Sequence, residues 1–109
     1  MREEFSREVR CLLPKFCMYT GISNVPLEDH HILAGVDSSG SILNCIRIQK
    51  RLHDNIKGIH SRENEDKFLS TTFKYVIGRK IKLKEKDLLF ITKNYERYKT
   101  LFPLWFNDD

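Results

Sequence analysis

No apolar run in this chain approaches the ~20 residues that a membrane-spanning helix needs, so no membrane role is expected of it. Cysteine is scarce and badly spaced for chemistry. Cys11, Cys17 and Cys45 form an odd set with no C-x-x-C pair, which excludes a disulfide framework and a four-cysteine zinc site and leaves three reduced thiols. Low-complexity tracts are lacking too, and the opening Met1-Arg2-Glu3-Glu4-Phe5-Ser6 carries acidic residues where a secretory leader needs a basic head and an apolar run. The expected location is therefore the cytoplasm.

What remains is the composition of a soluble globular chain of 109 residues, expected to form one domain with a single core. The formal charge is +4 and the pI about 9.0, but the excess is concentrated. Between Arg79 and Lys99, eight basic residues (Arg79, Lys80, Lys82, Lys84, Lys86, Lys93, Arg97, Lys99) face three acidic ones (Glu85, Asp87, Glu96), a local +5. Such a stretch suits a polyanion, because neutralised phosphates release counterions. On charge alone the favoured reading is a solvated lysine-rich face.

Along the chain, residues 2–15 read as a short helix or arm stopped by Pro14, and residues 16–21 as an apolar segment turning through Ile22 to Pro26. Leu27 to Leu33 reads as a strand running into the loop Ala34 to Ser41. Ile42 to Ile48, rich in β-branched residues, predicts a second strand, and Gln49 to Ile56 a helix stopped near Gly58. A hairpin is predicted in this region, pairing the Leu27 strand with either the segment before it or the one after. From Ser61, Glu63, Glu65 and Asp66 signal a helix start, with Phe68, Leu69, Thr72, Phe73 and Val76 as its core stripe and Gly78 as its end. A further helix is predicted from about Lys86 to Thr100 with Leu88, Leu89, Ile91, Tyr95 and Tyr98 inward. The apolar tail Leu101 to Phe106 should fold back on the core or meet a partner.

All four histidines, His30, His31, His53 and His60, fall within 31 residues. Adjacent strand residues point to opposite faces, so His30 and His31 serve one site only if the chain bends between or just after them. Alone, the pair reads as structural or surface histidines. Asn44 in an apolar strand needs hydrogen-bond partners if half-buried, Cys45 reads as a small buried residue, and Asp29 as a turn or surface carboxylate.

Taken together, Cys17-x-x-Thr20-Gly21, His30-His31-Ile32 with a glycine shortly after, Asn44, His53, Lys57-Gly58-Ile59-His60 and Asn94-Tyr95 resemble the HNH endonucleases, in particular small phage and prophage HNH proteins. The resemblance implies an α+β fold with a ββα-metal core and additional C-terminal helices. Residues 1–15 would be an N-terminal arm or helix, 16–60 the finger and 61–109 the C-terminal helices and tail. It implies His31 as the general base, Asn44 as the residue holding the base or loop in place, and His30 and His53 as ligands of one divalent metal ion, Mg²⁺ or Mn²⁺ first, with Zn²⁺ or Ni²⁺ as alternatives. His60 would be a further ligand, a phosphate contact or structural, and Asp29 an extra ligand or an orienting carboxylate.

The implied reaction is divalent-metal-dependent hydrolysis of a DNA phosphodiester, by nicking if one monomer acts alone. A neutral imidazole is a suitable base near neutral pH, and a divalent ion supplies the electrophilic part. Two positions depart from the family. Thr20 stands where a second cysteine of a zinc brace would be, so no structural zinc is expected and helix packing would replace it. The loop Ala34 to Ser41 lacks basic residues, so DNA contacts would fall to Arg47, Lys50, Arg51, Lys57, Lys80 and Lys82. The alternative is a catalytically inactive HNH-like phage protein that binds nucleic acid or inhibits a host protein. The Leu101 to Phe106 tail is then a candidate surface for a homodimer or a host or phage protein.

Overall fold

The structure, a computed structural model, describes residues 3–33, 39–55 and 61–106, without the side chains of 53–55. It is a small α+β fold: a two-stranded antiparallel sheet with helices around it. Helix α1 (Arg7–Leu12) begins where the Ser6 hydroxyl accepts the Val9 N–H. It stops at Leu13, whose extended ψ of 154° is what a residue before proline requires. Residues 16–21 do not form a strand. Cys17 and Gly21 close a tight turn, with the Gly21 N–H on the Cys17 carbonyl at 2.7 Å and Gly21 at φ +80°, and only an isolated bridge joins Phe16 to Ser23.

The hairpin pairs β1 (Leu27–His31) with β2 (Cys45–Gln49), Leu27 facing Gln49 and His31 facing Cys45. Of the two pairings open to the Leu27 strand, the later partner is the one realised. The second strand starts three residues later than the β-propensity of Ile42 to Ile48 predicts. Ile42–Asn44 instead form a 3₁₀ turn, because the Ser41 hydroxyl caps it at Leu43 and the Asn44 amide is drawn into the loop. Helix α2 (Lys50–Asn55) follows directly.

Helix α3 (Arg62–Gly78) is capped by Ser61 and buries Phe68, Leu69, Thr72, Phe73 and Val76 against the hairpin, as its stripe predicts. Thr72 Oγ1 donates to the Cys45 carbonyl at 2.7 Å, tying the helix to β2. Gly78 is its last residue, and the left-handed position that closes it is Lys80, at φ 55°. The single helix predicted from Lys86 to Thr100 is two: α4 (Glu85–Lys93) and α5 (Tyr95–Leu101). Asn94 breaks it, its Nδ2 donating to the Phe90 carbonyl at 2.9 Å while its own carbonyl accepts the Tyr98 N–H. The inward face also differs: Asp87 and Phe90 are buried, whereas Leu88 and Leu89 lie exposed. Asp87 sets this rotation by accepting the Ser41 hydroxyl (2.6 Å) and the Lys84 N–H (2.9 Å).

Ile46 and Ile48 of the sheet meet Leu43, Phe68, Leu69, Val76 and Tyr98 in one core. The tail does fold back in part. Phe102 and Phe106 pack on Phe73, at centroid distances of 4.5 and 5.7 Å, while Leu104 is almost fully exposed. Among the described residues no helix is long and apolar enough to cross a membrane.

Candidate functional site

The chain order around the histidines is strand, loop, 3₁₀ turn, strand, helix, with His30 and His31 closing β1 and His53 on α2. Paired residues of an antiparallel sheet share a face. His31 thus lies with Cys45, Asp29 and Arg47, and His30 with Ile46 and Glu28 on the other side. No bend separates the histidines; the turn comes just after His31.

Asn44 is fully buried and joins the two ends of the loop. Its Oδ1 accepts the Leu33 N–H at 2.8 Å, and its Nδ2 donates to the carbonyls of Ser39 (2.9 Å) and Leu33 (3.4 Å). Beside it the Asn44 carbonyl accepts the Ile32 N–H at 2.8 Å. One side chain therefore fixes where the chain leaves β1 and where it returns, directly after His31.

His31 is buried, and the groups that bury it come from the N-terminal segment. Its Nε2 donates to the Glu3 carbonyl at 2.6 Å, and the Phe5 ring stacks on the imidazole at 4.1 Å and 19°. A carbonyl only accepts, so Nε2 carries a proton, and in the neutral ring the lone pair is on Nδ1. On the other face, the Nε2 of His30 is buried. An imidazole nitrogen held away from bulk water is a chemically suitable donor for a divalent ion. The side chain of His53, and His60 and Lys57 entirely, lie outside the described residues. Among the described residues no three His, Cys, Asp or Glu side chains converge as a metal centre.

Asp29 and Arg47 do not take the roles sequence reasoning gave them. Both Asp29 oxygens accept from Arg47, at 2.6 and 2.9 Å, so the carboxylate is committed to a bidentate ion pair with the facing strand. Arg47 points inward: its remaining N–H groups donate to the carbonyls of Arg10, Pro14 and Leu13, and its side chain is 14% exposed. The Asp29 hydrogen bond, opposed by burial, raises the guanidinium pKa still further, so Arg47 is a permanent cation clamping α1 to the sheet. A pairing signal was present, since Asp29 and Arg47 sit on facing strands at matching offsets.

Cys17 is also structural. Its Sγ accepts the N–H groups of Thr20 and Gln49, each at 3.4 Å, and the Thr20 hydroxyl donates to Gln49 Oε1 at 3.3 Å. Burial raises the thiol and these hydrogen bonds lower it, with a net downward shift. The turn that a zinc brace would close is closed by hydrogen bonds. Cys45, by contrast, is pushed far up by burial and is inert, as expected.

Of the described cations expected to contact DNA, Lys50 and Arg51 at the start of α2 and Lys80 and Lys82 after α3 are exposed. Lys50 and Arg51 edge a cleft of about 590 Å³ whose floor is Ile22, Val25 and Pro26. Arg97, counted in the basic stretch, is held by Asp66 (2.6 Å) and Glu65 (3.0 Å) of α3. No family model, curated protein or solved structure matches this chain.

Proposed function

We infer that this protein is a divalent-metal-dependent DNA endonuclease of the HNH kind, cutting one strand per binding event. The observation that carries the reading is Asn44. Its side chain makes three hydrogen bonds to Leu33 and Ser39 beside the histidine pair, and this bracing, together with the order strand, strand, helix, supports the reading.

In this reading His30 and His53 would hold the metal ion, which would supply charge stabilisation at the scissile phosphate and the leaving oxygen. His31 takes the proton of the attacking water at Nδ1, which holds the lone pair, or at Nε2 once the Glu3 carbonyl withdraws and the ring proton has moved to Nδ1. Asn44 is a positioning residue, fixing the loop that follows the base. Lys50, Arg51, Lys80 and Lys82 contact phosphates, and Lys57 joins them on sequence grounds.

Cleavage of supercoiled plasmid with Mg²⁺, Mn²⁺ or EDTA tests the activity. Metal-dependent nicking lost in His31→Ala is expected, with folding of the variant checked by circular dichroism. The burial of His31 favours one second reading: a non-catalytic binder with the same scaffold. Salt-sensitive DNA binding without cleavage under any metal selects it.

A further inference from the structure

Five basic residues, Arg79, Lys80, Lys82, Lys84 and Lys86, follow α3 within eight positions, and all five are exposed. Two of them are already holding anions. Lys86 Nζ donates to Glu3 Oε2 at 2.6 Å, and Lys84 Nζ donates to Glu8 Oε2. Glu3 is anchored at its other oxygen too, which accepts the Gly40 N–H at 2.7 Å. The same segment delivers the Glu3 carbonyl to His31 Nε2 and the Phe5 ring to its face. A cleft of about 270 Å³ lies beneath it, bounded by Ser6, Glu8, Gly40, Lys82, Lys84 and Lys86.

We propose that residues 3–8 are a built-in polyanion mimic: the Glu3 and Glu8 carboxylates occupy a phosphodiester-binding site formed by Lys84 and Lys86, and the backbone of a bound nucleic acid displaces them. The proposal rests on the reading of this protein as a DNA-binding nuclease, and it adds both a binding site and the reason that His31 is covered.

Three features point the same way. The two ion pairs are each about half-exposed (46–59%) and therefore weak, so they exchange readily for phosphate. Each lysine is a compact three-donor cation with no geometric demand that a carboxylate meets and a phosphate does not. Gly40 is matched to the covered state: a Cβ there would come within 2.6 Å of the Glu4 carbonyl oxygen and 2.9 Å of Glu3 Cγ, so the segment lies down only over glycine. Displacing the carboxylates moves the Glu3 carbonyl as well; Nε2 of His31 then loses its acceptor and, once the ring proton passes to Nδ1 through solvent, presents its lone pair as a base. Phosphate binding at Lys84 and Lys86 is in this way linked to uncovering the base.

The test is the affinity of the full-length protein for a short DNA duplex in EDTA, as a function of salt. Glu3→Gln/Glu8→Gln is compared with Glu63→Gln/Glu96→Gln, which changes net charge equally on exposed sites of α3 and α5. Gly40→Ala disturbs the segment with no charge change. We expect Glu3→Gln/Glu8→Gln to bind about tenfold tighter than its isocharged control with a similar salt slope, because the same phosphates are neutralised in both complexes. Gly40→Ala should bind severalfold tighter than wild type. Salt-dependent binding in which Glu3→Gln/Glu8→Gln merely equals its control overturns the mimic and leaves the DNA-binding reading standing. No salt-dependent binding by any of the proteins overturns that reading, and the mimic with it.

Discussion

Two side chains hold the region around the histidines, and each does so by satisfying backbone groups that would otherwise be buried without partners. Asn44 serves the N–H and carbonyl of Leu33 and the carbonyl of Ser39. Asn44→Ala should cost about 2–3 kcal/mol, the penalty for leaving such groups unsatisfied, measurable by urea unfolding. Asn44→Asp keeps the acceptor but sets a carboxylate against two carbonyl oxygens in a buried site, so it should cost at least as much as Asn44→Ala. Arg47 is an equally sharp case, because sequence reasoning assigned it to DNA. Arg47→Met strands the Asp29 carboxylate and three carbonyls, and a loss of about 3 kcal/mol is expected. Duplex affinity of the folded variant should match wild type after allowing for one unit of charge; a larger loss would put Arg47 back on the nucleic acid.

The elements were unevenly legible in the sequence. The β1 strand, α3 and the α3 stripe follow from periodicity and from the Ser61 cap, because there local preference and tertiary burial agree. Ile42–Asn44 has strand propensity yet turns, since Ser41 and Asn44 offer side-chain hydrogen bonds that compete with the ladder. Asn94 divides α4 from α5 for the same reason. Neither competition is visible without knowing which backbone groups are near.

The N-terminal segment is the element with a defined pH response. The Lys86 hydrogen bond, aided by the Gly40 N–H, holds Glu3 below its ordinary value near 4.5. A depressed carboxylate contributes its anchoring above the ordinary glutamate range and loses it as pH falls through the lowered value. The Gly40 amide proton should therefore shift in NMR spectra only on acidification below that range, and Glu3→Gln should remove the transition. Phe73 anchors the opposite end through Tyr98, Phe102 and Phe106. Phe73→Ala should cost about 3–5 kcal/mol.

At the scale of the molecule, one short hairpin is clamped from two sides. Face by face, α1 is tied to it through Arg47 and Asp29, and α3 through Thr72 and the apolar stripe. This arrangement places the histidine pair at the end of β1, where two chain segments distant in sequence, residues 3–8 and the start of α4, come together beside it. The sequence carried the histidines and Asn44 as a pattern, but the covering of His31 depends on Glu3 and Phe5, 28 and 26 residues upstream. Contacts at such separation leave no periodic trace. The basic stretch illustrates the same limit: its count was readable, whereas the engagement of Lys84, Lys86 and Arg97 by carboxylates was not.

The proposed activity is hydrolysis of DNA, with a divalent ion, by the histidine pair beside Asn44. Its most direct test is the conversion of supercoiled to open-circular plasmid by wild type, His30→Ala and His31→Ala, purified identically and shown to be folded. The account predicts nicking with Mg²⁺ or Mn²⁺, abolished by EDTA and reduced at least about a hundredfold in both variants. A folded wild type that leaves plasmid intact with every metal, or nicking that survives in His31→Ala unchanged, would contradict it.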